Sequence, residues 1–168
     1  VGLTGRSNPL VTMPRPRFFK LDKDKRDRII EIAGVEFAQK GYKAASLNAI
    51  LEAAQISKGA FYYYFDDKAD LFTTVLTAVR DEILDADHID FTTLTPESFW
   101  VAIDNITSHS MKYIDDHPWL VELGRKLHSF SDDPDLAQLV APLFKDALLL
   151  SRVLVERGQE IGEVRTDL

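Results

Sequence analysis

The chain has 168 residues, a formal net charge of −7 and no cysteine. The length allows one domain or two small ones, and the lack of cysteine excludes disulfides, thiolate zinc sites and cysteine nucleophiles. No apolar run approaches the ~20 residues that cross a bilayer, and the N-terminus carries no secretory signal, so we expect a cytoplasmic protein. Residues 1–70 carry 12 Lys/Arg and 9 Asp/Glu, whereas residues 71–168 carry 8 and 18. This asymmetry favours a basic end that faces nucleic acid, although acidic surfaces are common in other proteins too.

The apolar spacing is helical almost throughout, and no set of segments alternates with the period of two that strands require. Residues 1–23 are predicted to be a flexible segment. Within it we interpret Met13 as the natural start, with residues 1–12 upstream or vector-derived, and a genuine flexible arm is the alternative. The first helix is predicted from Asp24 to Gln39, with Gly41 as its stop.

Two short helices are predicted next, joined by a tight turn. Ser46 caps the second helix, and Ser57 caps the third, which runs from Lys58 to Tyr64. A fourth helix is predicted from about Asp66 to Asp85. The fold up to residue 70 is therefore predicted to be a three-helix domain that contains a helix-turn-helix.

The second half, residues 71–168, is predicted to be a helical bundle. Thr95-Pro96-Glu97 is a strong helix start, with an N-cap, a proline at the first position and an acid in the first turn, and this fifth helix should end near Asp116. A sixth is predicted from His117-Pro118 to about Ser129. The last helix or pair of helices covers Pro134 to Ile161, with Pro142 as a kink or a division.

The stretch from Ser46 to Phe65 carries the strongest functional signal. Phe61 and Phe65 lie at i and i+4, so both can anchor the third helix inward, where Phe61 would pack on Ile50. Consecutive residues point all around a helix, so the three tyrosines between them cannot all be core. An ordinary aromatic face of a bundle is the alternative. The residues predicted to form the outer surface of the third helix are Lys58, Gly59, Ala60, Tyr62, Tyr63 and Tyr64.

This surface has the chemistry that duplex DNA requires. Lys58 can reach a phosphate or a guanine edge, and Ala60 or the Tyr63 ring can touch a thymine methyl. Gly59 lets the backbone come close, and the hydroxyls of Tyr62 and Tyr64 can donate to phosphate oxygens. At the start of the second helix, Ser46 can bind a phosphate and Asn48 can read adenine.

The same region resembles the DNA-binding domain of TetR-family regulators. The residues that carry the resemblance are Phe37-Ala-Gln-Lys-Gly-Tyr42, Ser46, Ile50 to Ala54, Ile56-Ser-Lys-Gly, Phe61-Tyr62, Phe65 and Lys68. The resemblance spans about Ile29 to Val75. It implies DNA contacts from Ser46, Asn48, Lys58, Gly59, Ala60, Tyr62, Tyr63, Tyr64 and Lys68.

The sequence departs from the family pattern at four positions. The family usually has alanine where Leu51 stands and glycine where Gln55 stands, and it often has threonine at Ala60 and histidine at Tyr64. Glutamine at a turn position with φ > 0 costs on the order of 1 kcal/mol relative to glycine. These departures concern the geometry of the turn and the preferred DNA sequence more than DNA binding itself.

The resemblance implies that the second half is a ligand-sensing and dimerisation domain. In the fifth helix, a stripe that starts at Phe99 is predicted as core, and an adjacent stripe mixes aromatic, thioether and polar groups, as small-molecule pockets do. Ordinary filled core is the alternative. The residues predicted to bind a largely apolar effector are Trp100, Asp104, Thr107, Met111, Trp119, Phe130 and Phe144.

No catalytic constellation, phosphate loop or metal-ligand spacing is present, so we predict no enzyme activity, no cofactor and no metal. Gly162 to Leu168 resembles a turn that the family follows with two dimer-forming helices, so the bundle is expected to lack its last helices. We interpret the given chain as truncated there, and a dimer that forms differently is the alternative. The working hypothesis is a homodimer that binds a pseudo-palindromic operator as a repressor and is released by a small molecule. The alternative is a small-molecule-binding bundle that has lost specific DNA binding.

Overall fold

The chain folds into helices joined by short connections, as a computed structural model that describes residues 16–84, 90–128 and 134–167 shows. The helices are α1 (Lys23–Ala44), α2 (Leu47–Ala54), α3 (Lys58–Tyr64), α4 (Lys68–Leu84), α5 (Pro96–Asp116), α6 (Trp119–His128) and α7 (Pro134–Glu160), with a short 3₁₀ helix at Phe91–Thr93 before α5. The predicted all-α class is confirmed. None of the helices in these described ranges is both long and apolar enough to span a membrane.

The helix boundaries follow local chain chemistry. Asp22 caps α1, since its carboxylate accepts the Asp24 backbone N–H at 3.0 Å. Gly41 kinks the end of α1 at φ 76° and ψ 163°, a conformation open to glycine, and one further turn follows before Ala45. At the start of α5, the Ser98 hydroxyl accepts the Thr95 N–H at 2.9 Å, which completes the start that the sequence predicts.

Pro142 lies inside α7, which continues through it as one helix. Proline has no N–H, so the hydrogen bond that would reach the Gln138 carbonyl is missing there. The helix ends at Glu160, and Gly162, whose φ is 81°, lies in the turn that follows. The N–H groups of Glu163 and Val164 then both bond to the Gly158 carbonyl, at 2.8 and 3.0 Å, and satisfy one of the last carbonyls of the helix.

The chain divides into two compact units that are not consecutive in sequence. The first consists of residues 1–77 and 119–140 and the second of residues 78–118 and 141–168. The compact units do not divide the chain at residue 70. The functional boundary predicted there stays a prediction.

The first unit is built around buried aromatic rings. The side chains of Phe37, Phe61, Phe65 and Phe72 are at most 1% exposed, and the Phe37 and Phe72 rings meet edge to face at 4.8 Å. α6 packs against α1 where Trp119 lies directly over Gly34, at a position that a Cβ would fill. Only glycine at this position leaves room for the indole.

The N-terminal segment, predicted to be flexible over residues 1–23, makes buried contacts in its described part. Phe18 is 1% exposed, and its ring lies 4.8 Å from that of Phe65. Backbone hydrogen bonds from Lys20 to Arg17 and from Leu21 to Phe18 close a turn around it. Burial of one phenylalanine contributes about 1.5–3 kcal/mol toward ordering these residues. Residues 1–15 lie outside the described part of the chain.

The second unit is held by α5, α7 and the turn that follows α7. Phe99 is 2% exposed and packs on Gly158, where a Cβ would meet its ring at 2.7 Å. The Arg157 guanidinium donates twice to the Leu94 carbonyl, at 2.9 and 2.7 Å. The Ser110 hydroxyl donates to the Ile83 carbonyl at 2.6 Å and so ties α5 to the end of α4.

Candidate nucleic-acid interface

The turn between α2 and α3 depends on one residue in the left-handed conformation. Gln55 has φ 56° and ψ 41°, and it is the one non-glycine residue with positive φ in the described chain. Its N–H bonds to the Glu52 carbonyl at 3.1 Å, and the N–H of Ile56 bonds to the Leu51 carbonyl at 3.0 Å. The positive φ inferred at this position is confirmed, and the turn forms despite its cost.

Two serines cap the two helices. The Ser46 hydroxyl accepts the Ala49 N–H at 3.3 Å, and the Ser57 hydroxyl accepts the Ala60 N–H at 3.1 Å. Each hydroxyl still has its own proton to donate. The Ser46 backbone N–H is already used, because it donates to a Glu36 carboxylate oxygen at 2.9 Å. A phosphate at the start of α2 would therefore be bound by the Ser46 hydroxyl and not by its backbone.

The inner face of the two helices is fully buried. Ile50 is 1% exposed, while Phe61 and Phe65 are 0% exposed. Leu51, which stands where the family has alanine, is also buried, at 6%. The larger side chain therefore forms part of the core beneath the turn.

The outer face of α3 is open to solvent. Lys58 and Gly59 are exposed, and Tyr62 and Tyr63 are 45% and 49% exposed. A Cβ at Gly59 would meet nothing closer than the Ser57 hydroxyl, at 3.9 Å. Packing within the protein therefore does not require glycine at this position. The missing side chain leaves space for a molecule that approaches the outer face of α3.

The other predicted DNA contacts divide into exposed and half-buried residues. Asn48 is exposed on α2, while Ala60 and Tyr64 are half-buried on α3. The Tyr64 ring meets the Phe18 ring edge to face at 6.3 Å. Tyr64 is thus shared between the surface and the packing of the N-terminal segment.

Lys68 is engaged within the protein. Its ammonium donates to the carbonyls of Tyr42, Lys43 and Ala45, at 2.8, 3.1 and 3.1 Å, and it lies 4.9 Å from the centre of the Tyr42 ring. These three bonds use all three donors of the ammonium group. The arrangement favours a structural role at the end of α1, and the DNA contact that the resemblance implies for Lys68 stays a prediction.

Arg17 is a cation at this surface that the sequence reading did not single out. Its guanidinium carbon lies 4.5 Å from the centre of the Tyr63 ring, within cation–π range. The available signal was the apolar pair Phe18-Phe19 in a segment otherwise rich in proline and basic residues.

The residues predicted to bind an effector fall in different places. Trp119 belongs to the first unit, where it is buried against Gly34. Phe130 lies outside the described residues. The remaining five belong to the second unit and are exposed there; they are Trp100, Asp104, Thr107, Met111 and Phe144.

Two of these five show where the exposed stripe of α5 makes contacts. The Trp100 indole N–H donates to a Glu163 carboxylate oxygen at 2.6 Å, and the Thr107 hydroxyl donates to the Ile103 carbonyl at 2.8 Å. The predicted effector residues in α5 are all exposed and follow the i, i+4, i+7, i+11 spacing of one helix face, and their role stays a prediction. In the described ranges, no group of three or more His, Asp or Glu side chains is arranged to hold a metal ion.

Comparison with known proteins supports the interpretation of the N-terminal region. Residues 29–75 match the family model described as bacterial regulatory proteins, tetR family. An uncharacterized HTH-type transcriptional regulator, YuxN of Bacillus subtilis (strain 168), is 45% identical over 60 residues, which are 36% of this chain. The probable acrEF/envCD operon repressor of Escherichia coli (strain K12) is 43% identical over 47 residues, which are 28% of this chain. The match spans 21% of the length of each of these two relatives.

A solved structure is similar over more of the chain. It is a TetR family transcriptional regulator from Chloroflexus aurantiacus J-10-FL, with 30% sequence identity and a TM-score of 0.48. The similarity covers 93% of this chain and 71% of that one.

Proposed function

Because this chain belongs to the TetR family of bacterial regulatory proteins, we propose that it regulates transcription by binding duplex DNA through α2 and α3. The observation that carries the proposal is the division of α3 into two faces. Phe61 is completely buried, while Tyr62 and Tyr63 are about half exposed beside Lys58. Half-exposed aromatic rings with hydroxyl tips suit a phosphate-lined groove, where the hydroxyl donates and the ring packs on sugar or base methyl groups.

In the proposed complex, α3 lies in the major groove. Lys58 contacts a phosphate or a guanine edge, and Tyr62 donates a hydrogen bond to a phosphate. Gly59 and Ala60 allow the backbone of α3 to come close to the bases. Because the Ser46 hydroxyl already accepts the Ala49 N–H, it donates its remaining proton to a phosphate at the start of α2.

We propose further that the protein acts as a homodimer. Two copies of α3 then enter successive major grooves about 34–36 Å apart on a pseudo-palindromic operator. A dimer doubles the number of phosphate contacts, and it also doubles the unfavourable net charge of −7 per chain. The acidic charges that produce this net value are concentrated after residue 70.

Release by a small, largely apolar effector completes the proposed function. The related Escherichia coli protein is named as an operon repressor, which supports repression as the mode of regulation. The exposed stripe of α5, with Trp100, Asp104 and Met111, supplies apolar surface with one orienting carboxylate. To act as a switch, the effector must prefer the DNA-free state by a few kcal/mol.

The test is selection of bound duplexes from a random pool, followed by affinity measurements at several salt concentrations. We expect a selected sequence with two half-sites about one helical turn apart and a steep loss of affinity with salt. The double variant Lys58→Ala plus Tyr62→Phe should weaken binding at least tenfold. A matched control changes the adjacent pair of the same residue types in α5, Lys112→Ala plus Tyr113→Phe, and should bind like the wild type.

Equal affinity of the wild type and the double variant of α3 would overturn the assigned contacts. Absence of salt-dependent duplex binding would overturn DNA regulation altogether and favour a bundle that binds only small molecules. Native mass spectrometry of the purified protein tests the effector, since a bound apolar molecule should add to the mass of the chain.

A further inference from the structure

The turn before α1 holds Arg17 in a defined place. The next residue, Phe18, is 1% exposed and packs 4.8 Å from the Phe65 ring. The carbonyl of Arg17 accepts the Lys20 N–H at 3.2 Å. With its neighbour buried and its own carbonyl bonded, the backbone at Arg17 is fixed next to the C-terminal end of α3.

The side chain of Arg17 is directed onto the outer face of α3. Its guanidinium lies 4.5 Å over the ring of Tyr63, which is 49% exposed. A guanidinium stacked on an aromatic face keeps the N–H groups along its edge free to donate. Tyr63 thus orients the cation without using up its hydrogen bonds.

Arg17 differs in this respect from the other cations near the turn. The Lys68 ammonium donates all three of its N–H groups to carbonyls at the end of α1. Arg28 donates to the Ala53 carbonyl at the end of α2. Within residues 16–84, 90–128 and 134–167, no carboxylate pairs with Arg17. Its charge and its planar donors are therefore available to an anion from outside the protein.

We propose that Arg17 is a DNA-binding residue that contacts a phosphate at the edge of the groove occupied by α3, with Tyr63 as the platform that orients it. This inference rests on the proposed function. A helix with its side chains is about 10–12 Å across and fills a major groove about 12 Å wide, so a cation on its flank meets the phosphate backbone. The planar guanidinium can bond two phosphate oxygens at once.

The contact adds affinity at any sequence and does not read bases. Phosphate contacts position a protein on the duplex, whereas base edges specify the site. Loss of Arg17 should therefore weaken binding to the selected operator and to random duplex DNA by similar factors. This distinguishes it from Lys58, whose loss should also change the sequence preference if it contacts a guanine.

The test compares the salt dependence of DNA affinity for wild type, Arg17→Gln, Arg17→Lys and a charge-matched control. The control is Arg125→Gln, which removes an exposed guanidinium of α6 that bonds Glu122 at 2.6 Å. Loss of one phosphate contact in each protomer of a dimer lowers the slope of log affinity against log salt by about 1.8. The affinity loss between about 50 and 200 mM salt should therefore be about 12-fold smaller for Arg17→Gln than for the wild type.

The outcomes separate a phosphate contact from a purely structural stacking role. Arg17→Lys should keep the wild-type slope because it keeps the charge, and Arg125→Gln should keep it because α6 is not part of the proposed interface. Arg17→Gln with a wild-type slope overturns the inference, even if its affinity is lower, while the proposed function stands. If no variant, wild type included, binds duplex DNA in a salt-dependent way, the proposed function fails and the inference fails with it.

Discussion

Replacement of Gln55 by glycine should stabilise the protein, whereas most single substitutions destabilise a folded protein. Gln55 is exposed and holds φ 56° and ψ 41°. A non-glycine residue in this conformation lowers the stability by about 1–2 kcal/mol. Glycine removes this strain, but its greater freedom in the unfolded chain reduces the gain by about 0.4–1 kcal/mol. Gln55→Gly should therefore raise the free energy of unfolding by about 0.5–1 kcal/mol. With a urea m-value of about 2 kcal/mol/M, the midpoint should rise by about 0.25–0.5 M.

The two tryptophans allow this measurement to be confined to one unit. Trp119 is 8% exposed in the first unit, and Trp100 is 55% exposed in the second. In a Trp100→Phe background, indole fluorescence reports urea unfolding of the unit that contains the turn. The comparison is made between this background and the same background with Gln55→Gly.

A second substitution to glycine, three residues earlier at Glu52, serves as the control. Glu52 is exposed within α2, where its backbone is helical. Glu52→Gly should lower the free energy of unfolding by about 0.5–1 kcal/mol, because glycine weakens a helix interior. The two substitutions should thus shift the midpoint in opposite directions. A Gln55→Gly protein no more stable than its parent would refute the argument from left-handed backbone strain.

Three further outcomes are expected. Gly34→Ala should cost about 1–3 kcal/mol of stability through a clash with Trp119, while Gly124→Ala, where the new methyl meets nothing within 4 Å, should cost nothing; urea unfolding of both variants checks this. Lys68→Met should lower the free energy of unfolding by about 2 kcal/mol, because three carbonyls lose a charged donor. It should leave the salt slope of DNA binding unchanged, and a lower slope would show that Lys68 contacts DNA. Burial, and then the charge of Asp67, raise the pKa of Tyr42 above its ordinary value of 10.0. The folded state therefore resists ionisation of the phenol, so stability should fall as pH rises above that value, and Tyr42→Phe should flatten the decline measured by urea unfolding across about pH 9–11.

The helices and the helix-turn-helix were accessible from sequence because their signals are local. Ser46, Ser57 and Thr95-Pro96 mark helix starts by chemistry that acts within one turn, and the structure begins α2, α3 and α5 there. The left-handed residue at Gln55 was accessible because the family pattern has glycine at that place. These signals need no knowledge of which helices pack together.

The contacts that sequence reasoning could not supply join distant segments. Phe18 lies before the first predicted helix, and its packing against Phe65, 47 residues later in the chain, cannot be seen in local sequence signals. Lys68 matched a DNA-contact pattern, but its reach to carbonyls 23 to 26 residues earlier is visible only in three dimensions. Trp119, predicted as an effector residue, lies against Gly34, on a helix 85 positions away in the chain.

The contact between Gly34 and Trp119 has a consequence for genetics. The glycine weakens the middle of α1 by about 0.5–1 kcal/mol relative to alanine so that the indole can lie against the helix. The segment that carries the helix-turn-helix therefore relies on α6 to cover an apolar strip, and residues 16–77 expressed alone would leave that strip in water. In a screen for loss of regulation, substitutions at Leu120 or Leu123, which are 8% and 2% exposed, should behave like defects in DNA binding although neither residue belongs to the proposed interface.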